Sequence, residues 1–363
     1  MVQIAEKSDS PTMPRVALDT SIPRTVVNGF AFPLGVYPVE EMSSAPTPGY
    51  VVQFESADGE DAAPRDPTFG TGDGESWEEW PDRFMFDILV PATRLAPLCR
   101  LLFSLLPGRL FPILDVLGSD AYREIDPYIA YDQVGFERFL DAVRVFGDWL
   151  FEDGLVGFGA MSLDPFIYLF VDEHKVVTLR VDPAMRERAE KLLQAFELQP
   201  VDEVHSPDSA AHEHRSVLLA GADQPELLIA DEIVERLKES WLLELNVNGE
   251  SNVDDEGEEL GITAWRCLAR CSEQEDAPLK YAEVFLTAGC LDEAESMAED
   301  AVMSERADKK VPWFELEVVS ADRVLPDVFA QMLGEKPTMP KFETSEVKAI
   351  RWVETAEESK GDA

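Results

Sequence analysis

Nine prolines between residues 11 and 67 constrain this chain more than any other feature of its sequence. Proline lacks the amide donor that helix interiors and central strands need. Two short apolar segments survive among the prolines, at residues 25–39 and 50–54, and their composition is typical of edge strands. We therefore expect residues 1–80 to form a Pro- and acid-rich, partly disordered arm, with the folded body beginning near Arg83.

The charge of the chain excludes several classes of partner. Seventy-two Asp and Glu residues against 31 Lys and Arg residues give a formal net charge of −41. Nucleic acids and anionic membrane surfaces attract basic proteins, so the sequence predicts neither direct nucleic-acid binding nor membrane binding. Hydrophobic residues make up 45% of the chain, which is typical of a folded globular protein. A basic protein is the partner that this charge favours.

The sequence also bears on the cellular compartment. The N-terminus lacks a basic segment followed by an apolar run, so we read no signal peptide there. The most apolar stretch, residues 89–106, is interrupted by two prolines and two arginines and is too short for a membrane span. Four cysteines in 363 residues do not form a disulfide-dense scaffold. These features predict a cytoplasmic protein.

Hydrophobic periodicity predicts an α+β fold with mostly antiparallel strands. Residues 84–90 have a strand pattern, and residues 136–150 follow the i, i+3, i+4, i+7 rule of an amphipathic helix. Strands at 166–171 and 176–181 flank a four-residue hairpin loop. A chain this long favours two domains, and we predict the first at 81–202, a linker at 203–216, the second at 217–353 and a frayed tail at 354–363.

The second predicted domain resembles a known packing pattern over about 45 residues. Residues 241–247 and 262–270 read as a hairpin across an acidic loop. A strand at 281–288, a helix from Leu291 and a strand from Trp313 then look like the half-unit of a ferredoxin-like plait. The resemblance implies a sheet covered by a helix and carries no function.

Acidic residues are concentrated in the second predicted domain. Seventeen Asp and Glu residues but only three Lys and Arg residues lie between Trp241 and Glu305. Such a surface steers a basic partner by long-range attraction, so we predict a non-catalytic protein-interaction or regulatory module. The predicted binding face consists of Asp254, Asp255, Glu256, Glu258, Glu259, Asp292, Glu293, Glu295, Glu299 and Asp300.

An enzymatic or ligand-binding role in the first domain is the alternative. It depends on Asp115, Asp126 and Asp132, which lie near predicted strand ends. Paired carboxylates perform acid–base chemistry when their environments separate their pKa values. Ordinary surface carboxylates account for the same pattern, so the sequence assigns no catalytic residue and no cofactor.

Three further patterns offer metal ligands, and for each the sequence favours a simpler interpretation. Residues 252–257 resemble the start of a calcium loop, but position twelve is Thr263 and the flanks read as strands. His205, His212 and His214 offer imidazoles in a polar segment that we interpret as a solvated linker. Cys267, Cys271 and Cys290 lack the usual two-residue spacer, and His174 lies on the hairpin loop with no partner nucleophile. The sequence therefore predicts no metal site.

Overall fold

The computed structural model describes residues 15–57, 80–219, 227–274, 277, 279–305, 313–336 and 342–353. The parts of the predicted arm at 1–14 and 58–79, and the predicted tail at 354–363, lie outside the described residues. Helices and mostly antiparallel sheets both occur, so the α+β class is confirmed. No helix in the described part of the chain is both long and apolar enough to cross a membrane.

The chain forms two compact units whose boundaries differ from the predicted domains. Unit 1 comprises residues 1–116 and 127–246, and unit 2 comprises 117–126 and 247–363. Residues 203–216, predicted as a linker, belong to unit 1, as do residues 217–246, which were assigned to the second domain. Backbone pairing explains the difference, because residues 212–214 pair with 36–38 and residues 243–245 pair with 128–130.

Unit 1 contains thirteen strands and four helices among the described residues. Its strands are β1 (Val26–Val27), β2 (Phe30–Ala31), β3 (Val36–Pro38), β4 (Gly49–Glu55), β5 (Arg83–Leu89), β6 (Arg109–Leu117), β7 (Ile125–Ala130), β8 (Val134–Gly135), β9 (Val156–Leu163), β10 (Phe166–Val171), β11 (Val177–Val181), β12 (His212–His214) and β13 (Leu243–Leu245). Its helices are α1 (Ala92–Leu102), α2 (Phe136–Glu152), α3 (Arg186–Ala195) and α4 (Ala230–Trp241).

The main sheet of unit 1 runs in the order β13-β7-β6-β9-β10-β11-β5-β4. Alternate strand residues, such as Phe158 on β9 and Leu169 on β10, join α1 and α2 in one large buried core. Residues of opposite parity, including Met161 and Phe170, form a smaller apolar cluster with Trp80 packed against it. This two-sided alternation is what the period-2 geometry of strands requires.

Two glycines of β9 have a packing role. A Cβ on Gly157 would lie 2.8 Å from the ring of Phe170, and one on Gly159 would lie 2.2 Å from the carbonyl oxygen of Leu169. Both glycines belong to β9. They leave room for the Phe170 ring on the face of the sheet that carries the smaller cluster.

The described residues of unit 2 form a four-stranded antiparallel sheet with two helices. Its elements are β14 (Thr263–Ser272), β15 (Lys280–Ala288), α5 (Leu291–Glu305), β16 (Glu315–Val324), α6 (Pro326–Met332) and β17 (Glu346–Val353). The strand order is β16-β14-β15-β17. Because β15 and β16 both run antiparallel to β14, the connection β15–α5–β16 is a split β–α–β unit.

The sequence predicted part of this topology correctly. The strand, helix and strand expected from residue 281 onward are β15, α5 and β16. The predicted hairpin between 241–247 and 262–270 is wrong, because β13 pairs with β7 in unit 1. Strand β14 instead pairs with β15.

Residues 117–126 join unit 2 through a buried ion pair. Arg323 of β16 donates from Nε to both carboxylate oxygens of Asp120 at 3.0 Å, and its own amide donates to Asp120 Oδ2 at 2.8 Å. The two side chains are only 5% and 0% exposed. Arg323 Nη1 also donates to Asn252 Oδ1 at 3.1 Å and to the carbonyl of Val253. This network fixes two separate segments on one edge strand.

Candidate metal centre

Three histidines of unit 1 bring their rings to one point. His174, His212 and His214 each offer a ligand nitrogen, and these nitrogens all lie within 4.8 Å of one another. The ring centroids form a nearly equilateral triangle with sides of 4.8, 4.9 and 5.0 Å. The rings meet edge to face, at 68° to 78°, so they surround a common centre without stacking.

The position of two of these rings follows from strand geometry. β12 pairs antiparallel with β3, and His212 and His214 lie two residues apart on β12. Side chains at i and i+2 of a strand point to the same side, whereas Glu213 points to the other side. There Glu213 Oε2 accepts a hydrogen bond of 2.6 Å from the hydroxyl of Tyr37. The sequence His-Glu-His therefore supplies two imidazoles on one side of a short ribbon.

The third ring comes from the loop between β10 and β11. The hairpin was predicted with a four-residue loop, and its register, which ends at Val171↔Val177, gives a loop of five residues at 172–176. Asp172 Oδ1 accepts the amide of Val176 at 2.8 Å, and the loop closes with Lys175 at a left-handed φ of 66°. This tight turn sets the direction of the His174 side chain.

The ribbon is held in place by a close approach of two backbones. A Cβ on Gly35 would lie 2.0 Å from the amide nitrogen of Gly154, and one on Gly154 would lie 2.0 Å from the carbonyl oxygen of Gly35. Gly154 N–H also donates to the carbonyl of Arg215 at 3.2 Å. Nearby, Arg24 forms an ion pair of 2.8 Å with Glu152. Residues 24–36, which were assigned to the arm, therefore help to build this site.

Each imidazole has an acceptor at its Nδ1 atom. Nδ1 of His212 lies 2.9 Å from the carbonyl oxygen of Ala210, and Nδ1 of His214 lies 2.6 Å from that of Gly154. Nδ1 of His174 lies 3.2 Å from Glu173 Oε1. A neutral imidazole that donates from Nδ1 presents a lone pair at Nε2. Acceptors of this kind fix the ring orientation of metal-binding histidines in general.

The Nε2 atoms of His174 and His212 face each other at 3.1 Å. When both Nδ1 atoms donate to the acceptors described above, both Nε2 atoms carry lone pairs. Two lone pairs at this distance repel each other, and either a shared proton or a metal cation between them relieves the repulsion. The contact therefore fits both a hydrogen bond between the two rings and a shared metal ion.

The charges around the cluster favour a cation. Burial lowers the pKa of His214, and the neighbouring His174 and His212 lower it further. Burial alone would also lower the pKa of His174, but its hydrogen bond to Glu173 and the charge of Asp172 raise that pKa overall. Burial raises the pKa of Asp172 to about 7, and the charge of Glu173 adds to that rise. The carboxylates beside His174 thus favour a positive charge at that ring, as a proton or as a metal ion.

The contact between His174 and His212, together with the ring separations, can be compared with the geometry of a tetrahedral zinc ion. Zinc binds histidine nitrogens at about 2.0–2.1 Å, which in tetrahedral geometry places the nitrogens about 3.4 Å apart and the ring centroids about 5 Å apart. The nitrogens of His174 and His212 are 3.1 Å apart, and the three centroid separations are 4.8 to 5.0 Å. Imidazole donors suit zinc, copper and nickel, so the donor set indicates a late first-row metal.

Sequence reasoning considered these histidines but grouped them differently. His205 lies apart from the cluster and approaches Glu203 at 3.7 Å. His174, which lies on the predicted hairpin loop, is the third histidine of the cluster in place of His205. The segment that holds His212 and His214 is a paired ribbon, not a solvated linker, because β3 supplies its backbone partners. A His-x-His pair in an extended segment, together with a histidine in a tight acidic loop, was the available signal.

The acidic residues of the predicted binding face all lie in unit 2. Seven of the ten side chains are exposed and three are half-buried. The half-buried ones are Asp254, Glu293 and Glu295. Glu293 accepts the amide of Gly289 at 2.6 Å, in front of α5. Most of these carboxylates are therefore exposed to solvent. Asp254 and Glu293 also accept hydrogen bonds from nearby backbone amides.

The residues that resemble a calcium loop form an ordinary turn. Asp254 Oδ1 accepts the amides of Glu256 and Glu258 at 3.0 and 2.9 Å. A bridge between Val253 and Glu259 closes the turn, and Gly257 has a left-handed φ of 83°. Asp254 thus stabilises the loop through hydrogen bonds from the chain itself.

The remaining predicted candidates do not assemble into a site. All four cysteines are free, and Cys267 and Cys271 are buried as expected. Their Sγ atoms contact backbone carbonyl oxygens at 3.9 and 3.7 Å, and burial raises the pKa of the Cys267 thiol, which makes that thiol unreactive. Asp126 forms an ion pair of 2.6 Å with Arg123, and Asp132 is exposed.

Comparisons with protein families, with curated proteins and with solved structures gave no match. The chemistry of the histidine cluster is therefore inferred from its donor atoms, their partners and their spacing.

Proposed function

We propose that this chain binds a divalent late first-row metal, with zinc as the physiological ion, through Nε2 of His174, His212 and His214. The observation that carries the proposal is the convergence of one ring nitrogen from each of three histidines within 4.8 Å, while the Nδ1 atoms of all three rings lie beside acceptors. Three neutral histidines are also a known donor set for zinc in proteins.

A shared proton is the competing explanation for the short contact between His174 and His212. One protonated imidazole would donate to the other and would relieve the repulsion. That arrangement leaves the third ring, His214, without a role at the common centre. A metal ion uses all three nitrogens.

Metal titration of the full-length protein tests the proposal. After chelation and desalting, we expect one equivalent of zinc to bind, measured by elemental analysis and by competition with a chromophoric chelator. His212→Ala should weaken the affinity at least about 100-fold, because it removes a direct ligand and not an outer partner. His205→Ala is the matched control and should bind zinc as the natural protein does. Equal affinity in both variants would refute the proposed site.

A protein-binding role for the acidic face of unit 2 stays a prediction. It is supported by the exposure of Asp255, Glu256, Glu258 and Glu259 on one turn and of three further acids on α5. We propose a basic protein as the partner, in the cytoplasm and without direct contact to nucleic acid. Replacing these four turn acids by lysine should abolish partner binding at low salt. Binding that survives both this change and high salt would exclude the face.

A further inference from the structure

We propose that a cavity at one end of the unit 2 sheet binds a small organic amine with an apolar body. The cavity measures about 450 Å³ and lies between α6 and the residues that lead into β17. Small-molecule sites in proteins have volumes of roughly 300–1,000 Å³ and combine an apolar lining with a few polar groups. The inference rests on neither the metal site nor the basic protein partner proposed above.

The floor of the cavity is apolar. Phe329 and Ala330 of α6 are buried, and Leu333 and Phe342 beside them are half-buried. The rings of Phe329 and Phe342 meet edge to face at 81°, with their centroids 6.0 Å apart. An apolar or aromatic group that enters the cavity removes this surface from water, which favours binding.

Hydrogen bonds hold the backbone on both sides of the cavity. Thr287 of β15 is fully buried, and its hydroxyl donates to the carbonyl of Thr344 at 2.8 Å and accepts the amide of Glu346 at 3.1 Å. On the other side, the amide of Glu335 donates to the carbonyl of Ala330 at 2.8 Å, just after α6. The fold therefore shapes the cavity in advance, so that binding requires little ordering of the backbone.

The rim of the cavity is acidic. Glu335, Glu343 and Glu346 line it, and all three residues are exposed. Lys348 is the one basic residue among the described residues that line the cavity, and its Nζ lies 2.5 Å from Glu346 Oε1. The carboxylates of Glu335 and Glu343 thus have no basic partner within the described part of the chain. A ligand with a positive group is complementary to this rim.

Further acidic residues lie at the same end of the sheet. The strand pairing brings the start of β14, the ends of β15 and β16 and the start of β17 together. The acidic turn at residues 254–259 is tied to this end, because Nδ2 of Asn252 donates to Oγ1 of Thr263 at 2.9 Å. The summed field therefore attracts cations to the cavity and repels anions.

The floor and the rim together select the class of ligand. A neutral molecule of the same size would gain only the apolar contacts, and an anion would also meet the repulsion of the rim. An amine with an aromatic or alkyl body gains both the apolar contacts and the attraction of the carboxylates. The proposal assigns a binding role to the cavity and no reaction.

Three probes with the same apolar body test the inference on the full-length protein. The probes are 2-phenylethylamine, 2-phenylethanol and phenylacetate, which are cationic, neutral and anionic at neutral pH. Saturation-transfer NMR titrations give their dissociation constants. We expect the amine to bind at least about fivefold more tightly than the alcohol, and phenylacetate to bind more weakly than both. Added salt should reduce the preference for the amine.

Two double variants of equal charge separate the rim from the general field of the protein. Glu335→Gln combined with Glu343→Gln should weaken amine binding at least about fivefold and leave alcohol binding within about twofold. Glu256→Gln combined with Glu258→Gln removes two exposed charges from the acidic turn. It is the matched control and should keep amine affinity within about twofold. Phe342→Ala should weaken the amine and the alcohol alike, because it removes part of the apolar floor.

Three outcomes would overturn the inference. They are equal affinity for the amine and the alcohol, an equal loss of amine affinity in the two double variants, and no saturation transfer to the amine. None of these outcomes depends on zinc or on a protein partner, so a failure here is distinct from a failure of the metal site or of the acidic face.

Discussion

Removing the charge of Arg323 should destabilise unit 2 far more than removing an exposed charge. Arg323 and Asp120 are buried, with side chains 5% and 0% exposed, and three nitrogens of Arg323 lie 2.8–3.0 Å from the carboxylate oxygens. Breaking such a pair leaves an uncompensated buried carboxylate and costs about 3–5 kcal/mol. Arg323→Met keeps the aliphatic stem and removes the guanidinium, so we expect a loss in that range.

The matched control is Lys280→Met. Lys280 pairs with Glu273 at 2.7 Å, but both side chains are nearly half exposed. An exposed pair contributes at most about 1 kcal/mol. Hydrogen exchange of the β14 and β16 amides reports the opening of unit 2 separately from unit 1. A loss in Arg323→Met no larger than that in Lys280→Met would refute the reasoning.

A double-mutant cycle adds a second check on the same pair. Asp120→Asn alone leaves the guanidinium of Arg323 buried without its counter-charge, so it should be about as costly as Arg323→Met. In the double variant neither charge is present. We therefore expect a loss smaller than the sum of the single losses, with a coupling of about 2–4 kcal/mol. Simple additivity would show that the two side chains act independently.

Three further predictions concern pH, the glycine contact and the metal. Burial and the charge of Asp126 raise the pKa of Asp322 from 3.8 to about 6. The carboxylate therefore destabilises the fold increasingly as the pH rises from the unfolded pKa to the folded pKa, and the cost is complete above the folded pKa. Asp322→Asn should therefore raise the free energy of unfolding at pH 7.5 by at most about 3 kcal/mol, and this increase should vanish near pH 4. A lower free energy of unfolding at pH 7.5, measured by urea denaturation, would contradict the prediction. Gly154→Ala should lower the free energy of unfolding by more than about 2 kcal/mol and weaken zinc binding, because its Cβ would lie 2.0 Å from the carbonyl oxygen of Gly35. A Cβ on Gly108 meets nothing within 4 Å, so Gly108→Ala is the control and should change neither quantity. Thermal unfolding and zinc titration measure both. Free zinc at 100 times its Kd should raise Tm by about 5–10 °C and should leave Tm unchanged when the three ligand histidines are alanine, as differential scanning calorimetry will show.

Elements with a long hydrophobic pattern could be predicted from the sequence. Residues 136–150 were predicted as a helix, and α2 spans Phe136–Glu152. The hairpin of β10 and β11 and the strand β5 were also predicted within one or two residues. In these segments the hydrophobic pattern lies in consecutive residues of the chain, because every helical turn or every second strand residue contacts the same core.

The pairing of short strands could not be predicted. β3 and β12 have three residues each, and they are held together by backbone hydrogen bonds that leave no pattern in the side chains. β13 follows α4 directly, so its position next to β7 depends on the packing of the helix and not on its own three residues. The candidate metal centre was missed for this reason, because His174 and His212 lie 38 residues apart and only the ribbon brings them together.

The assignment of residues 117–126 to unit 2 has a consequence for expressing the units separately. A fragment that starts at residue 247 contains Arg323 but lacks Asp120, so it would bury a guanidinium without its counter-charge. Joining 117–126 to the start of that fragment through a flexible linker would restore the missing carboxylate. Cutting the chain after residue 246 alone therefore leaves residues 117–126 of unit 2 on the wrong fragment.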